Sequence, residues 1–193
     1  GMTRCDLNLG FIGLGAIGRP MAANLCQAGF RLNVHTRSRS AETAPDLQGS
    51  RSCASPAEAA DAVDVLLICV SDNQAVETVL FGSDGAASTL QPDSAVGDCS
   101  TIAPATAMGC AKRLALQGVH YLDAPVTGGT EGAKAGTLTL LVGGESTALA
   151  SVRPVLELIA STTRHFGPVG RGQHVKAVNQ VLVAGSYAAV AEA

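Results

Sequence analysis

Residues 9–30 have the sequence LGFIGLGAIGRPMAANLCQAGF, and the rest of the chain is placed around this stretch. The apolar run from Leu7 to Ile12 predicts a strand, and the apolar residues after the glycines recur at helical spacing. Gly13 permits the tight turn between strand and helix, Gly15 lets backbone N–H groups approach a phosphate, and Gly18 lets the two elements pack closely. This order predicts that the helix N-terminus binds the pyrophosphate of a dinucleotide.

The glycine spacing alone is a weak signal, because glycine accounts for 22 of the 193 residues. An ordinary turn between a strand and a helix is the alternative interpretation. The strand before the motif and the helix after it favour the nucleotide site. We therefore expect one continuous loop to bind the phosphates, and it consists of Gly13, Leu14, Gly15, Ala16, Ile17 and Gly18.

Composition excludes several other kinds of protein. Hydrophobic residues make up 47% of the chain and charged residues 15%, which supports a buried core and excludes disorder. The net charge is −3 and no basic run or Trp is present, so neither nucleic acid nor a membrane is an expected partner. The length predicts one domain with a piece of a second. Because no transmembrane run or signal peptide appears, we expect a cytoplasmic protein.

The cysteines and histidines show no spacing typical of metal ligands, and we expect no metal site. The cysteines are expected to be reduced thiols, several of them in the core, rather than disulfides. They are Cys5, Cys26, Cys53, Cys69, Cys99 and Cys110. Gly1 before Met2 is interpreted as the remnant of a cleaved expression tag.

The segment after the second predicted strand indicates which cofactor is preferred. Arg31–His35 predicts that strand, and the following Thr36–Arg39 contains no carboxylate. An acidic residue here would bind the ribose 2′-hydroxyl of NAD, whereas a 2′-phosphate needs a cation and hydroxyl donors. We therefore expect NADP(H) to be preferred and NAD(H) to be possible, with Thr36, Arg37 and Ser38 at the ribose. A solvated basic turn is the alternative.

The rest of the chain alternates strand-like and helix-like segments, which predicts an α/β fold with a doubly wound, mostly parallel sheet of Rossmann type. Further strands are expected at Ser50–Cys53, Val63–Val70, Ser94–Asp98, Val119–Ala124, Thr137–Val142 and Arg164–Phe166. Helices are expected to begin near Pro56 and Asn73 and to span Ala105–Leu116 and Ser146–Ala160.

Three loops follow predicted strands at the edge of the sheet where ligands bind. Val70 and Ser71 follow the central strand, and we expect them at the cofactor. Ser100 and Thr101 either contact the cofactor, cap the next helix, or do both. The segment 127–129 has the sequence Thr-Gly-Gly, whose backbone N–H groups suit a carboxylate, although an ordinary glycine turn is the alternative.

The last segment predicts a helix that runs from Gly172, after Gly167–Arg171, to the end of the sequence. Lys176, Asn179 and Gln180 are spaced i, i+3 and i+4, so an ammonium group and two amides share one face. The helix is otherwise rich in Val, Leu and Ala, which predicts that most of it is buried. A lysine on such a surface needs a polar environment, which favours a functional role over a solvated one.

Four motifs together resemble the β-hydroxyacid dehydrogenase family, which includes 3-hydroxyisobutyrate dehydrogenase and tartronate semialdehyde reductase. Residues 10–25, GFIGLGAIGRPMAANL, resemble its cofactor fingerprint, and residues 98–104, DCSTIAP, its nicotinamide-side loop. Residues 123–129, DAPVTGG, resemble its substrate loop, and residues 170–180, GRGQHVKAVNQ, its catalytic helix. The motifs occur in the family's order and spacing along the whole chain.

The resemblance implies hydride transfer between NADP(H) and a small β-hydroxyacid or semialdehyde. It implies that Thr127, Gly128 and Gly129 bind the substrate carboxylate, and the family usually has Ser in place of this Thr. Lys176 would be the proton donor or acceptor. Asn179 and Gln180 would bind the substrate, with Gln180 orienting its oxygen, and this pair is more similar to the tartronate semialdehyde branch.

The resemblance also implies a domain organisation. Residues 2–168 would be an NADP-binding Rossmann domain. Residues 169–193 would begin a long interdomain helix, and the all-helical domain that follows it in the family is missing. The full-length protein is expected to be a homo-oligomer, either a dimer or a tetramer. Two alternatives stay open, a 6-phosphogluconate dehydrogenase-like enzyme and a non-catalytic NADP-binding or scaffold module.

Overall fold

The computed structural model describes residues 6–192. The interpretation of Gly1, the environment of Cys5 and the end of the helix at Ala193 lie outside these residues. Six parallel strands form one sheet in the order β3-β2-β1-β4-β5-β6. They are β1 Asn8–Ile12, β2 Arg31–His35, β3 Arg51–Ser52, β4 Val65–Ile68, β5 Ala95–Asp98 and β6 His120–Asp123. This order is that of a doubly wound nucleotide-binding sheet, so the predicted Rossmann-type fold is confirmed.

Helices cover both faces of this sheet. They are α1 Gly18–Gln27, α2 Pro56–Ala60, α3 Asn73–Phe81, α4 Pro104–Ala115, α5 Gly129–Ala135, α6 Ser146–Leu156 and α7 Arg171–Glu192. Because successive side chains of a strand point to opposite faces, Leu67 of β4 packs in one apolar cluster and Ile68 in the other. Residues of α1 and α6 complete the first cluster, and residues of α2, α3 and α4 complete the second.

A second sheet of three strands was not predicted as a separate unit. It consists of β7 Val126–Thr127, β8 Leu138–Val142 and β9 Ala160–His165, in the order β7-β8-β9. β7 pairs antiparallel with β8, so Thr127, the first residue of the predicted glycine turn, belongs to a strand. An antiparallel bridge between Asp123 and Gly143 joins this sheet to the end of β6.

The predicted boundary between the sixth helix and the last strand is wrong. α6 ends at Leu156 rather than Ala160, and β9 begins at Ala160 rather than Arg164. Ala160 pairs with Leu138 of β8, and β-branched threonines follow it in the strand. Tertiary pairing therefore decides this segment, whose residues do not alternate clearly enough to mark a strand.

Helix α7 forms as predicted, but its environment differs from the prediction. Its buried residues are Gly172 and Gln173, whereas Val181, Leu182 and Val190 are 71%, 64% and 75% exposed. The prediction that most of α7 is buried is therefore wrong, because no element within residues 6–192 covers the second half of this helix. No helix in this part of the chain has the length and apolar character needed to cross a membrane.

Candidate functional site

The glycines of the phosphate loop have two different roles. Gly13 has a φ of +99°, and a Cβ on it would lie 2.1 Å from the carbonyl oxygen of Cys69. A Cβ on Gly18 would lie 2.0 Å from the carbonyl oxygen of Gly13. The fold therefore requires glycine at both positions. At Gly15 nothing lies within 4 Å of where a Cβ would be, so this residue faces open space.

The loop presents unsatisfied donors at the start of α1. Gly13 donates its N–H to the carbonyl oxygen of His35 at 3.0 Å, but within residues 6–192 the N–H groups of 14–17 have no acceptor. No side chain from this described range caps the helix. Free donors at the positive end of a helix dipole are suited to bind phosphate.

This loop lines a cleft of about 770 Å³ at the carboxyl ends of β2 and β4. The predicted cofactor residues that line it are Gly13, Leu14, Gly15, Ala16, Ile17, Gly18, Thr36, Arg37, Val70 and Ser71. Ser38 does not line it, and its hydroxyl oxygen lies 3.1 Å from that of Ser40. We call this space the nucleotide cleft.

The turn Thr36–Arg39, whose first two residues line the nucleotide cleft, is held on both sides. Before it, the Nδ1 atom of buried His35 lies 2.8 Å from the carbonyl oxygen of Cys53. At its last residue, Arg39 has a φ of +64° and its guanidinium pairs with the buried Glu42 carboxylate. Arg37 is exposed and has no ion pair within the described residues.

A second cleft of about 920 Å³ continues from the first, and the two share Ile17, Cys69, Val70 and Ser71. We call it the substrate cleft. The predicted residues that line it from other elements are Thr101, Thr127, Gly128, Gly129, Lys176, Asn179 and Gln180. The structure therefore brings together every predicted site residue except Ser38.

Lys176 lies on the face of α7 that borders the substrate cleft. It is partly buried, and burial lowers the pKa of its ammonium group. No carboxylate of the described residues forms an ion pair with it. A lysine in this environment can give up its proton more readily than a solvated lysine.

The segment 127–129 is a turn between β7 and α5 that lines the same cleft as Lys176. Thr127 ends β7, and Gly128 and Gly129 have φ angles of +126° and +63°. Both glycines are exposed to the cleft, and nothing lies within 4 Å of where a Cβ on Gly129 would be. Such a turn presents backbone N–H groups to an anion.

A buried carboxylate that sequence analysis missed holds the N-terminus of α7. Asp123 is fully buried and accepts hydrogen bonds from the N–H groups of Gly170 at 2.8 Å and Gln173 at 2.9 Å. Burial raises the pKa of Asp123, and the backbone donors oppose this shift. The only sequence signal was a carboxylate at the end of an apolar strand, which also fits an exposed loop residue.

A second missed residue, Gln173, links α7 to the loop after β5. Its Nε2 donates to the carbonyl oxygen of Ser100 at 2.7 Å, and its Oε1 accepts from the N–H of Ile102 at 3.1 Å. The hydroxyl oxygen of Ser100 accepts from the N–H of Val70 at 2.9 Å. These bonds connect the ends of β4 and β5 to α7 directly behind the substrate cleft.

The alternative that Ser100 or Thr101 caps α4 is wrong. Ala103 occupies the N-cap position of α4, and within residues 6–192 neither Ser100 nor Thr101 forms a capping hydrogen bond there. The N–H of Ala103 instead donates to the Oδ1 of Asn73 at 2.8 Å. The Ser100 hydroxyl oxygen is already bonded to the N–H of Val70. Thr101 is exposed in the substrate cleft.

A further buried carboxylate, Asp98, lies at the end of β5. It accepts hydrogen bonds from the Tyr121 hydroxyl at 2.7 Å and from the N–H of Ser100 at 3.0 Å. Complete burial raises the pKa of Asp98 to about 6, although these bonds act in the opposite direction. Asp98 therefore supports the loop that carries Thr101 without lining either cleft.

The described cysteines are all free thiols. Burial raises the pKa of Cys69 to about 12 and that of Cys99 well above its usual value, so neither is an activated nucleophile. In the described part of the chain, no three His, Cys, Asp or Glu side chains are grouped to bind a metal ion.

Comparisons with known proteins agree with this geometry. Residues 8–167 match the family described as the NAD binding domain of 6-phosphogluconate dehydrogenase. The chain is 39% identical over 186 residues to 3-hydroxyisobutyrate dehydrogenase of Pseudomonas aeruginosa, covering 96% of this chain and 62% of that protein. It is 39% identical over 187 residues to 2-hydroxy-3-oxopropionate reductase of Escherichia coli, covering 97% and 64%.

A solved structure of the same family is also similar to this chain. The structure of 3-hydroxyisobutyrate dehydrogenase from Mycobacterium tuberculosis with L-serine has a TM-score of 0.91 and 32% identity, over 96% of this chain and 63% of that one. This chain thus spans less than two thirds of the length of these relatives. The matched residues contain the whole nucleotide cleft, and the chain belongs to the β-hydroxyacid dehydrogenase family, of which it contains the nucleotide-binding domain.

Proposed function

We propose that this chain is the amino-terminal part of an NADP(H)-dependent oxidoreductase that interconverts a small β-hydroxyacid and its semialdehyde. One observation supports this most strongly. Lys176 borders a cleft that is also lined by Thr127, Gly128 and Gly129 and that continues into the nucleotide cleft. A candidate proton donor, a candidate carboxylate site and a nucleotide site are therefore adjacent.

The residues of the nucleotide cleft fit a nicotinamide dinucleotide. The free N–H groups of 14–17 would bind the pyrophosphate, and the open space at Gly15 would let it approach the backbone. Val70, Ser71 and Thr101 would lie along the nicotinamide. When bound, the cofactor supplies a hydride to a carbonyl carbon, or accepts one in the reverse direction.

The protein's own part in this reaction is to position the substrate and move a proton. Thr127, Gly128 and Gly129 bind the carboxylate, which fixes the position of the reacting carbon. In reduction the Lys176 ammonium gives a proton to the carbonyl oxygen, so hydride and proton together make the alcohol. In oxidation the neutral amine takes this proton. Because burial lowers the pKa of Lys176, the neutral amine is more accessible.

Two amides complete the proposed substrate site. Asn179 and Gln180 border the cleft one turn beyond Lys176, and Gln180 orients the substrate oxygen. This amide pair favours a tartronate semialdehyde-like substrate over a 3-hydroxyisobutyrate-like one. In this proposal residues 2–168 form the NADP-binding domain, residues 169–193 begin the interdomain helix, and the full-length protein is a homo-oligomer.

The preference for NADP(H) rests on the turn Thr36–Arg39. Arg37 is exposed at the cleft and has no ion pair within the described residues, so its guanidinium is available to a 2′-phosphate. The nearby Glu42 carboxylate is buried and engaged by Arg39, so it does not offer the ribose contact typical of NAD sites.

The test is turnover of NADPH and NADH by the full-length protein with tartronate semialdehyde, methylmalonate semialdehyde, succinic semialdehyde and glyoxylate, and of NADP⁺ with 6-phosphogluconate. Lys176→Ala is expected to lower kcat by about 10²–10⁴-fold, because it removes the proton donor. The control Lys112→Ala removes an exposed lysine of α4 and is expected to leave kcat unchanged.

Other outcomes would exclude parts of the proposed function or favour one of the alternatives. Normal turnover in Lys176→Ala would exclude the proposed role of this lysine. Turnover with 6-phosphogluconate alone would favour the 6-phosphogluconate dehydrogenase-like alternative. Tight cofactor binding without turnover of any substrate would favour the non-catalytic module. A preference for NADH would leave the enzyme in place and exclude the role proposed for Arg37.

A further inference from the structure

Gln173 is a buried polar side chain that the proposed chemistry does not use. It is 1% exposed, and both ends of its side-chain amide are bonded to backbone groups of one loop. The amide nitrogen bonds Ser100 and the amide oxygen bonds Ile102, which are the residues before and after Thr101. A single side chain therefore holds the loop on both sides of Thr101, which lines the substrate cleft.

The position of Gln173 on α7 gives this contact a consequence for the site. Gln173 precedes Lys176 by three residues on the same helix, which is a rise of about 4.5 Å. Thr101 and Lys176 line the substrate cleft from different elements. The Gln173 amide is thus the direct connection between the element that carries Lys176 and the loop that carries Thr101.

The helix does not need this amide to be held at its N-terminus. The Asp123 carboxylate already bonds the N–H groups of Gly170 and Gln173, independently of the Gln173 side chain. An apolar side chain of similar size would fill the same space. Only an amide at this position offers both a donor and an acceptor to the two backbone groups of the loop.

We propose that Gln173 is a positioning residue that fixes Lys176 relative to the loop Ser100–Ile102, and so aligns the proton donor with the cofactor side of the site. This inference rests on the proposed dehydrogenase function. Among residues 6–192 Gln173 forms no hydrogen bond with the phosphate loop or the ribose turn, so most of the proposed cofactor contacts are independent of its amide.

The test compares three variants of the full-length enzyme. Gln173→Leu keeps the volume and removes both bonds. Gln173→Glu keeps the shape, but its ionised form places a carboxylate oxygen against the carbonyl oxygen of Ser100, whereas its protonated form donates there and restores both bonds. The control Gln117→Leu makes the same substitution at a partly buried glutamine, whose Nε2 donates to the carbonyl oxygen of Ala87 at 2.7 Å and which lines neither cleft.

We expect Gln173→Leu to lower kcat by about 10–100-fold with a change in NADPH Kd of less than about threefold, because misalignment affects turnover rather than binding. Gln173→Glu is expected to be impaired at high pH and to recover kcat relative to wild type as the pH falls. The titratable groups connected to this position are Asp123, Asp98 and Lys176, so the ratio to wild type at each pH isolates the introduced carboxyl.

Several outcomes would contradict the positioning role of Gln173. If both Gln173 variants keep kcat within about twofold, or if Gln173→Glu shows no recovery at low pH, the positioning role is excluded. If kcat falls only as Tm falls, as in Gln117→Leu, the residue is structural and the inference is wrong. Absence of turnover in the wild-type enzyme would instead exclude the proposed function, and the positioning role with it.

Discussion

The two ends of the cleft are held in different ways. At the ribose end, the turn Thr36–Arg39 is closed by the bond from the Arg39 N–H to the Thr36 carbonyl oxygen and by the pair of Arg39 with Glu42, and its central residues are exposed. At the substrate end, the holding bonds of Asp123 and Gln173 are buried and join residues 47 to 73 positions apart.

We therefore expect the ribose end to determine cofactor affinity and the substrate end to determine the alignment of the reacting groups. The exposed side chain of Arg37 takes no part in the bonds that hold the turn, so replacing it is expected to change cofactor binding at little cost to the fold. The buried bonds of the substrate end also join β5, β6 and α7. Changes there are therefore expected to alter stability and turnover together.

The largest effect is expected for Asp123→Ala. This change leaves the N–H groups of Gly170 and Gln173 without an acceptor in the interior, and each buried unsatisfied group costs about 1–3 kcal/mol. We expect the free energy of unfolding to fall by about 3–4 kcal/mol in denaturant titrations.

A matched control exists on another helix. Asp72 also caps a helix N-terminus, since its Oδ1 accepts from the N–H of Ala75 at 2.8 Å, but it is exposed. Asp72→Ala is expected to cost about 1 kcal/mol, because water replaces the lost acceptor. Equal losses in the two variants would contradict the view that burial makes the substrate end rigid.

The second effect concerns pH. The pKa of buried Asp98 is raised from 3.8 to about 6, so its folded form holds a proton that the unfolded chain has released. The stability from this group is present below pH 3.8 and is lost as the pH rises through about 6. The shift corresponds to about 3 kcal/mol, and we expect wild type to lose this much stability relative to Asp98→Asn between about pH 4 and pH 7.

The measurement is the free energy of unfolding of both proteins across this pH range. Only the difference between the two proteins is informative, because other carboxyl groups with shifted pKa values, such as Asp123 and Glu58, also change the free energy of unfolding with pH. The control Asp61→Asn removes an exposed carboxyl group, which accounts for the loss of one carboxyl group as such. A difference between wild type and Asp98→Asn that stays constant with pH would contradict the raised pKa of Asp98.

The same division explains what the sequence predicted. The phosphate loop, β2 and the start of α3 depend on glycines, apolar runs and caps that lie within a few residues of each other, and the structure has them where the sequence indicated. Lys176 and the segment 127–129 were found through the order and spacing of motifs. Their convergence on one cleft follows from the parallel sheet, whose strands all end at the same edge.

What the sequence did not predict depends on distant partners. Gln173 and Asp123 have no local pattern that distinguishes a buried bonded group from an exposed one, because their partners are 47 to 73 residues away. Strand β7 has only two residues, too few to show alternation. The burial of α7 was predicted from its own composition, although burial depends on which neighbours cover a helix.

The third effect concerns the ribose end alone. Arg37→Ala is expected to raise the KM for NADPH by about 10–100-fold, since a hydrogen bond between charged groups contributes about 1.5–3 kcal/mol. The KM for NADH and the Tm are expected to stay unchanged, because Arg37 is exposed and has no ion pair within the described residues.

Arg31 provides the control for this change. It is an exposed arginine at the amino end of β2, the end away from the cleft. Arg31→Ala removes the same charge and is expected to leave both KM values unchanged. If the two variants affected NADPH equally, the effect would come from net charge rather than from a contact at the ribose.

The smallest effect is expected for the ion pair of Arg19 and Asp46, which joins α1 to the segment after the ribose turn. The Nε of Arg19 lies 3.1 Å from both carboxylate oxygens, but the two side chains are 43% and 38% exposed. A double-mutant cycle of Arg19→Ala and Asp46→Ala is expected to give a coupling of about 0.2–1 kcal/mol, decreasing at high salt. A coupling above about 2 kcal/mol that resists salt would mean that charge pairs also anchor the ribose side of the molecule, and the contrast between its two ends would then be one of position rather than of strength.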